Sequence, residues 1–216
     1  MSAARGLPGR GPDPGAAVLS RKGFPVSPDL PSLPRRRFCV IRHGETDANR
    51  AGLIAGRTEA MLTDTGLVQA AALSGLDWGG PVRVWTSPQT RARQTASLAF
   101  PHDTAGVLEG LRERDWGALE GRPVSELIPR GETPAGGESW PAMLARVAAA
   151  LSHALEASQE ALPVLVAHSG TIRAIRRLCG ASEHGASPRN AHPLAFVPGP
   201  EGWRERPVTE GMAWTA

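Results

Sequence analysis

Two apolar segments that each run into a histidine constrain the fold of this chain more than any other feature. Residues 38–41 lead directly into Arg42 and His43. Residues 162–167 lead in the same way into His168. Short apolar runs rich in β-branched residues are typical of buried strands in a parallel sheet. Because open α/β sheets bind ligands at the carboxyl ends of their strands, both histidines are expected to face one crevice.

A glycine follows each of these histidines. Gly44 comes directly after His43, and Gly170 comes two residues after His168. A single histidine more often has a structural role than a catalytic one. Glycine, however, leaves room for a ligand to approach the backbone closely. Two strands with the same ending therefore favour a functional site.

The remaining pattern alternates strands and helices. Further strands are predicted at 82–86, 194–197 and 203–208, and the last two are expected to form an antiparallel hairpin. Helices are predicted at 63–76, from Pro88 onward, at 139–162 and at 171–178. The first of these helices, which Thr63 is expected to cap, has apolar residues at helical spacing, namely Leu67, Val68, Ala71, Ala72 and Leu76. The predicted fold class is α/β, a three-layer sandwich with a mostly parallel, mixed central sheet flanked by helices.

Composition divides the chain into a tail, 1–36, and a single domain, 37–216. The tail is rich in proline, glycine and arginine and is expected to be disordered or loosely packed. Residues 1–37 carry seven basic and two acidic side chains, and the whole chain has a formal charge of +3, so the remainder has a net charge of −2. We therefore expect no nucleic-acid partner.

Missing residue types exclude several mechanisms. Lys22 is the only lysine and the chain has no tyrosine, so the domain has no P-loop lysine and no Schiff-base lysine. A cysteine-based phosphatase loop needs arginine six positions after the cysteine, but Glu45 and Gly185 stand at these positions after Cys39 and Cys179.

The apolar surroundings of the two cysteines predict buried free thiols in a reducing compartment, which favours a cytoplasmic location. No apolar run approaches the roughly 20 residues of a membrane span, so no membrane partner is expected.

Arginine beside histidine indicates a phosphate site. The planar guanidinium group donates two parallel hydrogen bonds to phosphate oxygens. Arg42 adjoins the first histidine, and Arg91 lies in the helix after strand 82–86, where it could reach the same edge of the sheet. For Arg93 a solvated surface position is the better interpretation.

Taken in order, these segments resemble the histidine phosphatase superfamily, which includes the phosphoglycerate mutases. The resemblance covers residues 37–197, and its segments are 42–46 with Asn49, 62–66 with 69–70, 87–88 with 91–96, 111–113 with 117 and 120–121, 137–139 and 166–170. Each segment is weak evidence alone, whereas the ordered set is specific. It implies a phosphoglycerate mutase-like fold and an enzyme that needs no cofactor and no metal.

The resemblance also implies roles for individual residues. His43 resembles the nucleophile that becomes phosphohistidine, and Glu113 resembles the proton donor to the leaving oxygen. Arg42, Arg91 and His168 resemble the phosphate pocket.

Asn49 matches a residue that lines the pocket, and Ser169 is small enough to line it although it departs from the family pattern. Ser169 replaces a glycine that is common after the second histidine. Glu45 and Glu138 are expected to orient their neighbours and not to touch the substrate.

These roles are chemically coherent. A neutral imidazole nitrogen attacks phosphorus without first losing a proton, so the step needs no metal. Charge on the transferred phosphoryl group is met by fixed donors. The expected activity is hydrolysis of a small phosphorylated metabolite. The sequence leaves open which metabolite this is, and whether the protein is a monomer or a homodimer.

Three other interpretations are less favoured by the sequence. A mutase of this family typically carries an insertion that shields the phosphoenzyme from water, and only residues 122–136 are available here, which favours hydrolysis. A non-catalytic module that binds phosphorylated ligands is disfavoured because all the core catalytic positions are filled. A metal site formed by His43, His168 and Glu113 is disfavoured because the neighbouring arginines would repel a cation.

Overall fold

The computed structural model describes residues 32–208 and contains one six-stranded sheet in the order β3-β2-β4-β1-β5-β6. Its strands are β1 (Phe38–Arg42), β2 (Val82–Thr86), β3 (Gly106–Val107), β4 (Leu162–Ala167), β5 (Pro193–Gly199) and β6 (Gly202–Pro207). Strands β1 to β4 run parallel, and β5 and β6 form an antiparallel hairpin on the β1 edge. The predicted mixed, mostly parallel sheet is confirmed.

Helices cover both faces of this sheet. They are α1 (Asp47–Ala51), α2 (Asp64–Ala72), α3 (Thr90–Ala99), α4 (Trp140–Ala157) and α5 (Ser169–Leu178). Phe38 and Val40 pack with α4 and α5, whereas Cys39 and Ile41 pack on the other face with α3. Since successive strand residues point to opposite faces, only an unbroken apolar run satisfies both layers. This explains why β1 and β4 contain no polar alternation, and it confirms the three-layer sandwich.

The limits of all four predicted helices differ from the observed ones, and α2 ends at Ala72 and not at residue 76. The third helix begins at Thr90 with Gln89 as N-cap, so Pro88 lies outside it. Gln89 is extended because its side chain bonds the backbone of Gly56 and Glu113. Helix α4 ends at Ala157, before the turn into β4, and α5 begins at Ser169 directly after its strand.

The predicted apolar face of α2 is partly wrong. Thr63 does cap the helix, accepting a hydrogen bond from the Gly66 backbone. Leu67 and Val68, however, are 40% and 71% exposed, while Gly66 and Ala70 are buried. Gly66 packs directly on the backbone of Glu45, so the helix buries its small residues and turns its larger ones outward.

The described chain before β1 is attached to the domain. Leu33 packs against the core, and Arg36 donates hydrogen bonds to the carbonyls of Leu155 (3.1 Å) and Ala161 (2.6 Å). Packing therefore begins a few residues before the predicted boundary at residue 37. The prediction for residues 1–31 lies outside the described residues.

Cys39 and Cys179 are both buried and unpaired, and burial raises the pKa of each thiol. Within residues 32–208, no helix is long and apolar enough to cross a bilayer.

Candidate active site

The pairing of β1 with β4 brings the two predicted histidines together. Arg42 pairs with Ala167 in the parallel register, and the backbone N–H of His43 donates to the Ala167 carbonyl at 3.0 Å. The imidazole rings of His43 and His168 consequently lie 5.2 Å apart between centroids. The two strands are neighbours, as the prediction required, and they bring both histidines to one edge of the sheet.

A cavity of about 310 Å³ opens at this edge of the sheet. Six of the seven predicted site residues line it: Arg42, His43, Asn49, Arg91, Glu113 and Ser169. The seventh, His168, is fully buried and is not part of the cavity wall. The cavity walls also include apolar side chains from the loop at 53–55 and from the segment 122–136.

His43 is held as a neutral imidazole with a defined tautomer. Burial, with the nearby charges of Arg91 and Arg42, holds the pKa of His43 well below its usual value. Its Nδ1 lies 2.7 Å from the carbonyl oxygen of Gly44, so Nδ1 carries the proton and donates it there. The lone pair is therefore on Nε2. A neutral nitrogen with a free lone pair is what a nucleophile at this position requires.

His168 is engaged by the protein at both nitrogens. Its Nδ1 accepts a hydrogen bond from Arg91 Nε at 3.3 Å, so Nε2 carries the proton and donates to Ser87 Oγ at 2.8 Å. Burial and the charge of Arg91 also hold the pKa of His168 well below its usual value. Neutral His168 thus lies behind Arg91 and fixes the orientation of its guanidinium group.

Arg91 is 1% exposed and bonds mainly to the protein itself. Beyond its contact with His168, it donates to the carbonyls of Thr58 (2.9 Å), Ala55 (3.0 Å) and Gly56 (2.8 Å). These contacts occupy four of its five N–H donors and leave one on Nη1. Arg91 therefore builds the 55–58 wall while its charge faces the cavity.

Glu113 is fixed by two backbone N–H groups and by the side chain of Gln89. Its carboxylate oxygens accept from the N–H of Arg114 (2.7 Å) and of Gly170 (2.8 Å), and its own N–H donates to Gln89 Oε1 at 2.9 Å. A Cβ on Gly170 would lie 2.0 Å from Glu113 Oε1. This glycine thus makes room for the carboxyl group, and not directly for a ligand as the sequence suggested.

Gly44 requires the same correction. A Cβ at this position would lie 2.4 Å from the carbonyl oxygen of Gly66 in α2. The space that the missing side chain leaves is filled by protein backbone. Gly44 therefore allows α2 to approach the loop that carries His43.

The sequence matches one known family. Residues 38–197 match branch 1 of the histidine phosphatase superfamily. The chain belongs to this superfamily. Among its curated relatives is the metal-independent phosphoserine phosphatase of Arabidopsis thaliana, 33% identical over 168 residues, or 68% of this chain and 70% of the relative. The fructose-2,6-bisphosphatase TIGAR of Mus musculus is 38% identical over 120 residues, but the match spans only 43% of that protein.

Solved structures of the superfamily share the fold. A putative alpha-ribazole-5'-P phosphatase from Escherichia coli superposes with a TM-score of 0.71 at 25% identity, covering 83% of this chain and 100% of that one. A phosphoglycerate mutase from Thermus thermophilus gives a TM-score of 0.63 at 33% identity, covering 81% and 97%. The structural neighbours thus include one protein described as a phosphatase and one described as a mutase.

Asn49 and the acidic residues act on neighbouring protein groups. Asn49 lines the cavity, caps α1 together with Thr46, and accepts from Asn190 Nδ2 at 3.1 Å. Glu45 pairs with Arg50 at 2.9 Å, and Glu138 pairs with Arg146 at 2.6 Å.

Several supporting residues were not found by sequence reasoning. Arg146 on α4 donates to the carbonyls of Gly110, Arg112 and Glu113, and so holds the loop that presents the carboxyl group. Asn190 donates to the carbonyl of His43. These contacts join positions far apart in the chain, so local pattern carries no signal for them.

Two arginines in the cavity wall were also missed, Arg130 and Arg173. Arg173 lies one turn after Ser169 on α5, a spacing from which its position on the cavity side of the helix could have been found. Arg130 lies in an irregular segment and offers no such signal. Within residues 32–208, no cluster of three or more histidine, cysteine or acidic side chains is arranged to hold a metal.

Proposed function

We propose that this member of the histidine phosphatase superfamily hydrolyses the phosphomonoester of a small metabolite through a phosphohistidine at His43, without a divalent metal. The observation that carries the proposal is the hydrogen bond from Nδ1 to the Gly44 carbonyl, which leaves the lone pair on Nε2. Glu113 is the general acid in this proposal. Its carboxyl group and His43 both line the cavity.

In the first step, Nε2 of His43 attacks phosphorus and the bond to the ester oxygen breaks. Charge on the equatorial oxygens is met by Arg42 and by the remaining N–H of Arg91. Arg42 donates from Nη1 to the Pro188 carbonyl, and its buried Nε makes no hydrogen bond to the described residues. Unused donors on a fixed guanidinium group suit an incoming phosphate.

Glu113 manages the proton in both steps. Protonated Glu113 gives its proton to the leaving oxygen, and the alcohol departs. The resulting carboxylate takes a proton from water as the water attacks phosphorus, which restores neutral His43 and releases inorganic phosphate. Backbone hydrogen bonds from Arg114 and Gly170 keep this carboxyl group in place throughout.

Mutase activity is the second candidate, because the Thermus thermophilus neighbour is a phosphoglycerate mutase. Hydrolysis is favoured by the metal-independent phosphatase among the relatives and by the short segment at 122–136. A mutase must keep water from the phosphoenzyme, whereas a hydrolase must admit it. Incubation with 3-phosphoglycerate separates the two activities, because a mutase forms 2-phosphoglycerate and a phosphatase releases phosphate.

The test uses the full chain in EDTA with p-nitrophenyl phosphate. We expect phosphate release and, after rapid acid-free quenching of a ³²P-labelled substrate, an acid-labile label on the protein. His43→Ala should abolish both, whereas His102→Ala, at an exposed turn, should retain both. Absence of turnover in the wild type would support a binding module instead. A label that persists in His43→Ala would assign the nucleophile to another residue.

A further inference from the structure

Two guanidinium groups line the cavity but have no part in the proposed reaction. Arg130 comes from the 122–136 segment and Arg173 from α5. Arg130 packs over the ring of Trp140, 5.9 Å from its centroid, and makes no hydrogen bond or ion pair with the described residues. All five of its N–H donors are therefore available.

Arg173 is tied to the protein at one nitrogen. Its Nη1 donates to the carbonyls of Glu183 (2.8 Å) and Gly185 (2.7 Å). Its Nε is buried without a partner, and Nη2 makes no hydrogen bond within residues 32–208. Anchoring the 183–185 loop needs only Nη1, so this structural role does not account for the other donors.

The charge in the cavity is unbalanced. Four guanidinium groups and the carboxyl group of Glu113 line it, which gives a net charge of +3 with Glu113 ionised and His43 neutral, and a larger one when Glu113 is protonated. Burial and the neighbouring Arg130 and Arg176 lower the pKa of Arg173 to about 10. Unpaired cations held together in a partly desolvated wall are costly unless an anion binds among them. A phosphomonoester dianion offsets two of these charges and leaves an excess.

We propose that Arg130 and Arg173 bind a second anionic group of the substrate, so that the preferred substrates are phosphomonoesters that also carry a carboxylate or a second phosphate. This inference rests on the proposed phosphatase function. Arg173 follows Ser169 by one helical turn, or about 6 Å along α5. We therefore expect the second anion a few bonds from the ester oxygen, and substrates of graded length measure that separation.

Matched substrates isolate the second charge. We would compare carboxymethyl, 2-carboxyethyl and 3-carboxypropyl phosphates with their neutral carboxamides, which have the same shape, and would include 2-phosphonoethyl phosphate for a second phosphate-like group. The readout is the ratio of kcat/KM for the acid to kcat/KM for the amide. For the best chain length we expect a ratio of about 10 to 100, as for hydrogen bonds to a charged group.

Variants assign the preference to these residues. Arg130→Gln and Arg173→Gln should each lower the ratio, the double variant should bring it near 1, and Arg130→Lys should restore part of it. Arg93→Gln, at an exposed position on α3, should leave the ratio unchanged. Because Arg173 also anchors a loop, a change in Arg173→Gln could come from a displaced loop. Arg130→Gln removes no hydrogen bond to the described residues, so a change in this variant reports on the substrate contact alone.

The outcomes distinguish this inference from the proposed function. Hydrolysis of the amides with an acid-to-amide ratio near 1 at every length would overturn the second-anion site while leaving the phosphatase proposal intact. A ratio that stays high in the double variant would assign the preference to other residues. Hydrolysis of neither series, nor of p-nitrophenyl phosphate, would instead contradict the phosphatase function itself. A higher kcat/KM for 2-phosphonoethyl phosphate than for any of the carboxylates would identify a second phosphate as the recognised group.

Discussion

The inner and outer ends of the cavity use arginine in opposite ways. At the inner end, Arg91 is almost fully buried and spends four of its five donors on protein acceptors. At the outer end, Arg130 is half-buried and makes no hydrogen bond or ion pair with a described residue. A group already fixed by the protein needs no reorganisation when the transition state forms. The inner end is therefore suited to chemistry, and the outer end to choosing among substrates.

Glu113→Gln tests the inner end with the largest expected effect. Glutamine keeps the shape of the side chain but cannot give up a proton, so kcat for an alkyl phosphate such as glycerol 2-phosphate should fall by about 10²–10⁴. The loss should be much smaller for p-nitrophenyl phosphate, whose leaving group needs little protonation. Steady-state kinetics with both substrates measure the difference. An equal loss for both, with no labelled protein, would remove Glu113 from the acid role.

Gly170→Ala should misplace the acid without removing it. The new Cβ would lie 2.0 Å from Glu113 Oε1, so the carboxyl group has to move. A displacement of this size costs about 10² in rate for the alkyl phosphate, again with a smaller effect on p-nitrophenyl phosphate. Gly75→Ala is the matched control, since a Cβ added there would have no neighbouring atom within 4 Å. Unchanged kinetics in Gly170→Ala would show that the position of the carboxyl group tolerates this shift.

Low pH should lower the free energy of unfolding, because of the two histidines at the inner end of the cavity. The pKa values of His43 and His168 lie well below the ordinary 6.5, so below that pH the unfolded chain binds more protons than the folded one. Stability present above pH 6.5 is therefore lost as the pH falls, by up to about 1.4 kcal/mol per pH unit for each histidine. Urea unfolding between pH 7.5 and pH 5 measures this slope. His168→Gln should reduce the slope, and His102→Gln, at an exposed turn, should leave it unchanged.

The smallest effect is expected at the outer rim. Leu127 lines the cavity but is 41% exposed, so Leu127→Ser should change the free energy of unfolding by less than about 1 kcal/mol. Ile54, in the inner wall, is 4% exposed, and Ile54→Ser should cost about 2–4 kcal/mol. Urea unfolding of both variants makes the comparison. Equal losses would show that the rim is packed as firmly as the interior.

Local sequence was most informative where the chain is buried on both faces. The limits of β2 and β4 agree with the predictions because an apolar run bounded by proline, glycine or polar residues leaves little freedom of placement. The predicted start of α3 and the predicted apolar face of α2 were wrong for the opposite reason. Gln89 and Gly66 contact backbone that is distant in sequence, and these tertiary contacts override the local preference for helix.

By itself, the sequence determined the α/β sandwich, the nucleophile candidate and the ordered motifs of the superfamily, because strand periodicity and motif order are local properties of the chain. The tertiary structure decided which nitrogen of His43 carries the lone pair, that His168 lies behind Arg91, and that Gly170 makes room for Glu113. It also placed Arg130 beside Arg173. Hydrogen bonds and charge balance depend on distances of a few ångströms between residues that are remote in sequence, and only the folded chain fixes those distances.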